Sequence, residues 1–151
     1  VFCNALQMIY CNHQVLEVFM AEKLFNVGIK AIIAQDNKVL IVNNSKGFWE
    51  VPGGRIDKNE SIEQTLGREL REELPNIKSF KVGKVLNATR LHRDIKDEVS
   101  LVLIFYKVTA EFEGEVTLSN EHTEYMWATK AEALAIINET CTVAIEQVFN
   151  A

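Results

Sequence analysis

Cysteine and proline are scarce in this chain: three Cys and two Pro in 151 residues, with only seven Gly. Cys3, Cys11 and Cys141 make no C-x-x-C pair and no zinc-knuckle spacing, and their odd number argues against a closed disulfide framework. Reduced thiols suit a reducing compartment, so the cytoplasm is the expected location. No run approaches the roughly 18 apolar residues of a membrane span, and no membrane partner is expected. Basic residues are outnumbered, 16 against 21 acidic, for a net charge of −5. That balance lacks the electrostatic footprint of a protein that grips a nucleic-acid polymer. It leaves open an acidic pocket for a divalent metal.

What is present is a globular composition. The chain is 48% hydrophobic and 25% charged, enough apolar surface for one domain with a sizeable core and unlike a disordered or collagenous chain. The first 19 residues stand apart. No Lys or Arg precedes Lys23, and Asn4, Gln7, Asn12, His13, Gln14 and Glu17 interrupt the apolar residues. A secretory signal would need a basic start and an unbroken apolar stretch. Met20-Ala-Glu-Lys-Leu-Phe reads as a natural start before the first strand. Residues 1–19 are therefore expected to be an extension or a start-site artefact, helical from Ala5 to Phe19, and residues 20–151 the domain proper.

Short β-rich runs follow. Val27–Ala34 and Val39–Val42 flank the turn-type cluster Gln35-Asp36-Asn37-Lys38 and read as a hairpin. Phe48–Val51 is a third strand, stopped by Pro52-Gly53-Gly54. Phe80–Ala88 and Val99–Thr109 read as longer strands around the charged loop His92–Glu98. Glu124–Ala128 is a further strand, and Lys130–Asn138 and Thr140–Phe149 are expected helices. Strands and helices mix irregularly, which points to an α+β fold with a mixed sheet.

Residues 61–74 carry the most information. Ser61 with Gln64 three residues on is a capping box, so a helix is predicted to start there. Ile62, Leu66, Leu70 and Leu74 recur every four residues as an apolar stripe. Glu69, Glu72 and Glu73 fall within an arc of about 100° beside it. Like charges so placed repel, and Arg68 and Arg71 are expected to point more toward the opposite face. A hard divalent cation would relieve the repulsion far better, because oxygen ligands on one helical face suit Mg²⁺ or Mn²⁺. Taken alone, the run also describes an ordinary solvated helix.

The spacing makes the combination specific. Gly54, five residues, Glu60, seven residues, then Arg68-Glu69-Leu70-Arg71-Glu72-Glu73 resembles the Nudix box, and Trp49-Glu50-Val51-Pro52-Gly53-Gly54 resembles its approach. The final two positions depart from the box: Pro75 replaces a helix-ending Gly and Asn76 an apolar residue, with Ile77 in that place one residue late. Proline cannot adopt the left-handed conformation, so the helix must end by another route. Gly67 should cost the helix about 1 kcal/mol relative to Ala, for which a close-packed neighbour would be a reason.

The resemblance implies an α/β/α sandwich with a mixed sheet between helices. It implies a hydrolase that attacks a phosphorus of a nucleoside diphosphate derivative with water, assisted by Mg²⁺ or Mn²⁺. A (deoxy)nucleoside triphosphate is the first choice of substrate. A nucleotide sugar or a non-catalytic nucleotide-sensing role are the alternatives. Glu69, Glu72, Glu73 and the carbonyl of Gly53 would hold the metal. Glu69 would also orient or deprotonate the water, and Arg68 would pair with Glu60 to fix the helix against the loop. A further glutamate from a later loop is expected; Glu121 is preferred over Glu124, with Asp97 and Glu98 behind, and His122 between them reads as an exposed loop histidine. Arg90, His92 or Arg93 would contact phosphate. Phe48, Trp49 and Phe105 are candidates for base stacking, although strand aromatics are more often core. Similar proteins are often homodimers.

Overall fold

The computed structural model describes residues 8–11, 14–17, 23–91 and 99–150. Two short strands, β1 (Met8–Cys11) and β2 (Gln14–Glu17), pair antiparallel with Tyr10 opposite Val15 and Cys11 opposite Gln14. The helix expected from Ala5 to Phe19 is therefore corrected to a hairpin over these residues. Ile9-Tyr10 and Val15-Leu16 favour strands.

The main sheet has six strands. β3 (Phe25–Gln35) and β4 (Lys38–Asn44) flank Asp36 and Asn37, both at positive φ (49° and 58°), the conformation that a two-residue hairpin turn requires. The two strands pair only at Ala34↔Val39 and Gln35↔Lys38. β4 then turns away and pairs with β5 (Trp49–Glu50) and, more extensively, with β8 (His122–Ala128). On its other side β3 runs parallel to β7 (Ser100–Phe112), which pairs antiparallel with β6 (Ile77–Arg90).

Residues 52–56 fill the gap that β4 leaves beside β3. The Ile29 N–H donates to the Gly54 carbonyl at 2.8 Å, Ala31 N–H to Pro52 at 2.8 Å, and Ile56 N–H to Val27 at 2.9 Å. The loop that carries the twin glycines is thus held like a strand.

Both sheet faces are covered. Ile29, Ala31 and Ile33 of β3 meet Leu66 and Leu70 of α1 (Ile62–Glu73) and Leu74, which caps its C-terminus. Ile32, Ile41 and Phe105 meet Ala133 of α2 (Lys130–Ile136) and Ala144, Ile145 and Val148 of α3 (Thr142–Phe149). Buried residues of both parities in β3 explain its near-continuous apolar sequence. The result is the expected α+β sandwich with a mixed sheet between helices. Phe105 is fully buried core rather than an accessible stacking surface. Among the described residues, no helix is long and apolar enough to cross a membrane.

The helix exit follows from Pro75. Leu74 ends α1 at φ −125° and ψ 73°, outside the left-handed region. Asn76, in the place of an apolar residue, clamps a distant loop. Its amide donates to the Glu113 and Glu115 carbonyls, and its oxygen accepts from the Thr117 N–H at 2.9 Å. Ile77 packs onto the α1-side core, as expected of the apolar position displaced by one residue. The neighbour of Gly67 is also visible: a Cβ there would stand 2.9 Å from Arg71 Nη1, the mobile tip of a side chain, and 3.4 Å from the Phe80 ring.

Candidate metal and catalytic site

α1 begins as its sequence dictates. Ser61 accepts from the Gln64 N–H at 3.2 Å, and the Gln64 side chain accepts from the Ser61 N–H at 2.8 Å. The buried stripe fixes the rotation of the helix, which turns its three carboxylates toward the loop at residues 53–57.

Arg68 organises this face. Its guanidinium grips Glu60 through two bonds, Nε to Oε1 at 2.8 Å and Nη2 to Oε2 at 2.9 Å. It also donates to the Arg55 carbonyl at 3.0 Å and to Glu69 at 2.6 Å, with Glu72 at 3.5 Å. The pair with Glu60 therefore forms as expected. The expectation that Arg68 faces away does not hold, because its long side chain folds back over the acidic cluster. Arg71 does turn aside, donating to the Gly67 carbonyl at 2.7 Å and lying over the Phe80 ring. The bonds from Arg68 and from the Asp57 N–H hold Glu60 at a pKa of about 2, and the same carboxylates push the Arg68 pKa further up.

Each carboxylate has a distinct environment. Glu69 lies against Gly54 so closely that a Cβ at that residue would stand 2.2 Å from Glu69 Oε1. Glu72 is exposed at the rim of a cleft of about 530 Å³ that is also lined by Asn26, Arg55, Asp57, Arg68 and Glu69. Glu73 is only 5% exposed and accepts from the Gly53 N–H at 3.0 Å. Burial raises its pKa to about 7, although Lys30, the Gly53 N–H and His122 all act to lower it.

A carboxylate whose pKa is higher folded than unfolded binds its proton more tightly in the folded state, so it weakens the fold as pH rises. In metal-free buffer Glu73 should remove up to about 3 kcal/mol of stability between its ordinary value of 4.5 and about 7, then no more. Urea melts across that window with EDTA should show this decline, and added Mg²⁺ should flatten it. A rise over the same range would contradict the burial cost assigned to Glu73. Glu60, and Glu50 discussed below, act in a separate window. Their lowered values stabilise the fold above pH 4.5, a contribution lost as pH falls toward 2.

These donors suit a hard cation. The carboxylate cradled by Gly54 and the buried Glu73 beside it are oxygen donors from one helical face, and a positive ion would favour the ionised form of Glu73. As they stand, no three acidic, His or Cys side chains among the described residues are grouped closely enough to hold a metal ion. The chain's own cations hold the group instead. Arg68 is on Glu69, and the Gly53 carbonyl, expected to face metal, accepts from Lys30 Nζ at 2.6 Å.

The later loop leaves Glu121 at the surface and buries His122 instead. Its approach is tied to the end of α1 by the Ser119 N–H, which donates to the Glu73 carbonyl at 3.0 Å. Glu121 is exposed, and Glu124 sits exposed on β8 opposite Asn43. His122, expected in solvent, is buried, with Nε2 at 3.8 Å from Glu50 Oε1 and Nδ1 lacking a hydrogen-bond partner among the described residues. Burial acts to raise the Glu50 pKa, but His122, Lys30 and Asn44 together bring it to about 2. Lys30 and His122 were thus missed. A lone lysine within Val27–Ala34 was the available signal for the first, and the alternation Asn44–His122 across β4 and β8 was visible only in the register.

Arg90 ends β6 at the same end of the sheet, its guanidinium 5.0 Å above the Phe25 ring. His92, Arg93, Asp97 and Glu98 lie outside the described residues.

Comparison with known proteins agrees with this geometry. A family model described as NUDIX domain matches residues 24–143. The chain is 31% identical over 111 residues to a CTP pyrophosphohydrolase of Escherichia coli, covering 70% of this chain and 77% of that protein. It is 32% identical over 103 residues to an 8-oxo-dGTP diphosphatase of Proteus vulgaris, covering 65% and 87%. The crystal structure of a MutT NUDIX hydrolase from Burkholderia pseudomallei superposes with a TM-score of 0.66 at 25% identity, covering 82% of this chain and 98% of that one.

Proposed function

This chain belongs to the NUDIX family and is a MutT-like hydrolase acting on phosphorus anhydrides, and on that premise we propose that it is a magnesium-dependent pyrophosphohydrolase of nucleoside triphosphates. The observation that carries the proposal is the contact of Glu69 with Gly54 beside the buried Glu73, at the mouth of the cleft. Both relatives named above have nucleotide substrates of triphosphate type in their names, and the small size of the domain favours the same class. A nucleotide sugar is the second choice.

Glu69, Glu72 and Glu73 would hold the metal. Bound magnesium or manganese would screen the phosphates and make a water molecule more acidic. Glu69 orients the attacking water and accepts its proton. The water oxygen bonds to phosphorus as the anhydride P–O bond breaks, and the leaving group, pyrophosphate or the nucleoside monophosphate according to which phosphorus is attacked, departs with the bonding pair. Arg68 keeps Glu69 in place through its anchorage on Glu60 and the Arg55 carbonyl. Arg90 and His92 are proposed to contact phosphate, and Glu121 to assist from the loop before β8. We place the domain proper from about residue 20, and the buried, unpaired thiol of Cys141 supports a reducing, cytoplasmic setting.

The test is cleavage of a panel of nucleoside triphosphates, nucleotide sugars and dinucleoside polyphosphates, read as nucleotide products separated by chromatography, with and without Mg²⁺. Cleavage of triphosphates that stops in excess EDTA is the expected result. Full turnover in EDTA would remove the metal from the mechanism. Nucleotide binding without cleavage of any compound would favour a sensor.

A further inference from the structure

The cation already seated on the Gly53 carbonyl has a consequence for metal binding. Lys30 is largely buried: its side chain is 12% exposed, its ammonium lies 2.6 Å from the Gly53 oxygen, and Glu50 Oε2 lies 3.7 Å away. A lysine in a strand whose neighbours Ile29, Ala31 and Ile32 are fully buried is not a solvated surface residue. Its charge is spent on a main-chain oxygen and on the carboxylates around it, Glu50 and Glu73.

A divalent ion on the same oxygen would sit about 2.1 Å from it. The ammonium and the ion would then stand roughly 4 Å apart, and like charges at that separation repel strongly even when screened. Both cannot hold the oxygen at low cost. Glu50 offers the ammonium an alternative partner within reach.

We infer that Lys30 is a built-in competitor of the divalent ion for the Gly53 carbonyl. It keeps the free protein's affinity for metal low, and the ion enters together with the nucleotide's phosphates while the ammonium retreats to Glu50. Arg68 acts in the same sense on Glu69. The inference rests on the metal-dependent reading above and adds to it the residue that sets when metal enters. Lys30 is a positioning residue here.

The test is Mn²⁺ titration of the nucleotide-free protein by electron paramagnetic resonance. Lys30→Gln removes the charge but keeps an N–H donor for the carbonyl, which protects the fold; Lys30→Met removes both. Both variants should bind Mn²⁺ about tenfold or more tightly than the wild type. A non-hydrolysable triphosphate should raise the Mn²⁺ affinity of the wild type more than that of Lys30→Gln. Unchanged or weaker binding by a folded variant would overturn the inference and leave the metal reading intact. Failure of wild type and variants alike to bind Mn²⁺, with or without nucleotide, would overturn both. A second measurement needs no variant: the lysine side-chain NMR signal of Lys30 should move when wild type is saturated with Mg²⁺, and a stationary signal would overturn the inference.

Discussion

Replacing Glu72 by Gln should lower turnover by about 100-fold or more, with little change in thermal stability. Structurally this is the cleanest of the three carboxylates to remove. Its side chain is 53% exposed at the rim of the cleft, and its ion pair with Arg68 is long, at 3.5 Å. Exposed pairs of this kind contribute little to stability. Gln preserves shape and one oxygen but removes the charge that would attract a divalent ion. A large kinetic loss with an unchanged melting curve therefore isolates the ionic role. Turnover within a factor of two of wild type would contradict the assignment of Glu72 as a metal donor. Glu73→Gln is less informative, because that side chain is buried against the Gly53 N–H and its loss mixes packing with chemistry.

Gly53→Ala should act on the fold as strongly as Glu72→Gln acts on the reaction. Gly53 has φ +121°, which side chains rarely adopt, and a Cβ there would stand 2.3 Å from the Ile29 carbonyl and 3.0 Å from Lys30 Cα. Those are backbone atoms of the central strand and cannot swing aside. Conformational strain together with this clash should cost about 3 kcal/mol or more, a large share of a typical domain's stability. Differential scanning calorimetry should show a melting temperature lower by roughly 6–12 °C. Gly54→Ala makes a useful contrast. Its Cβ would meet the tip of Glu69, a side chain that can move, so stability should largely survive while turnover falls. Similar melting temperatures for the two variants would refute the distinction drawn between neighbouring glycines.

Much of this was legible before any coordinates. The start of α1 and its buried stripe follow from local spacing, because capping and helical periodicity are short-range properties, and the Glu60–Arg68 pair follows from the resemblance to the Nudix box. The twin glycines were also readable, although the reason for each was not: one avoids the β3 backbone and the other makes room for a carboxylate. Three features depend on distant pairing and were hidden. His122 is buried because β8 pairs with β4, which puts the histidine opposite Asn44 and near Glu50. Lys30 reaches the Gly53 carbonyl only because residues 52–56 lie alongside β3. Asn76 replaces an apolar residue without penalty because a loop from residues 113 to 117 returns to meet it. The N-terminal hairpin was misjudged for another reason: scattered polar residues among apolar ones satisfy helical and alternating patterns almost equally over so short a stretch.

The weaving of residues 52–56 into the space beside β3 also bears on how such a protein can diversify. A glycine bend stitched to a central strand by three main-chain bonds inherits the stiffness of that strand, so the main-chain oxygens it presents are positioned by the backbone rather than by any one side chain. Under the proposed function, variation suited to a different base or sugar would accumulate in segments that carry no share of the weave.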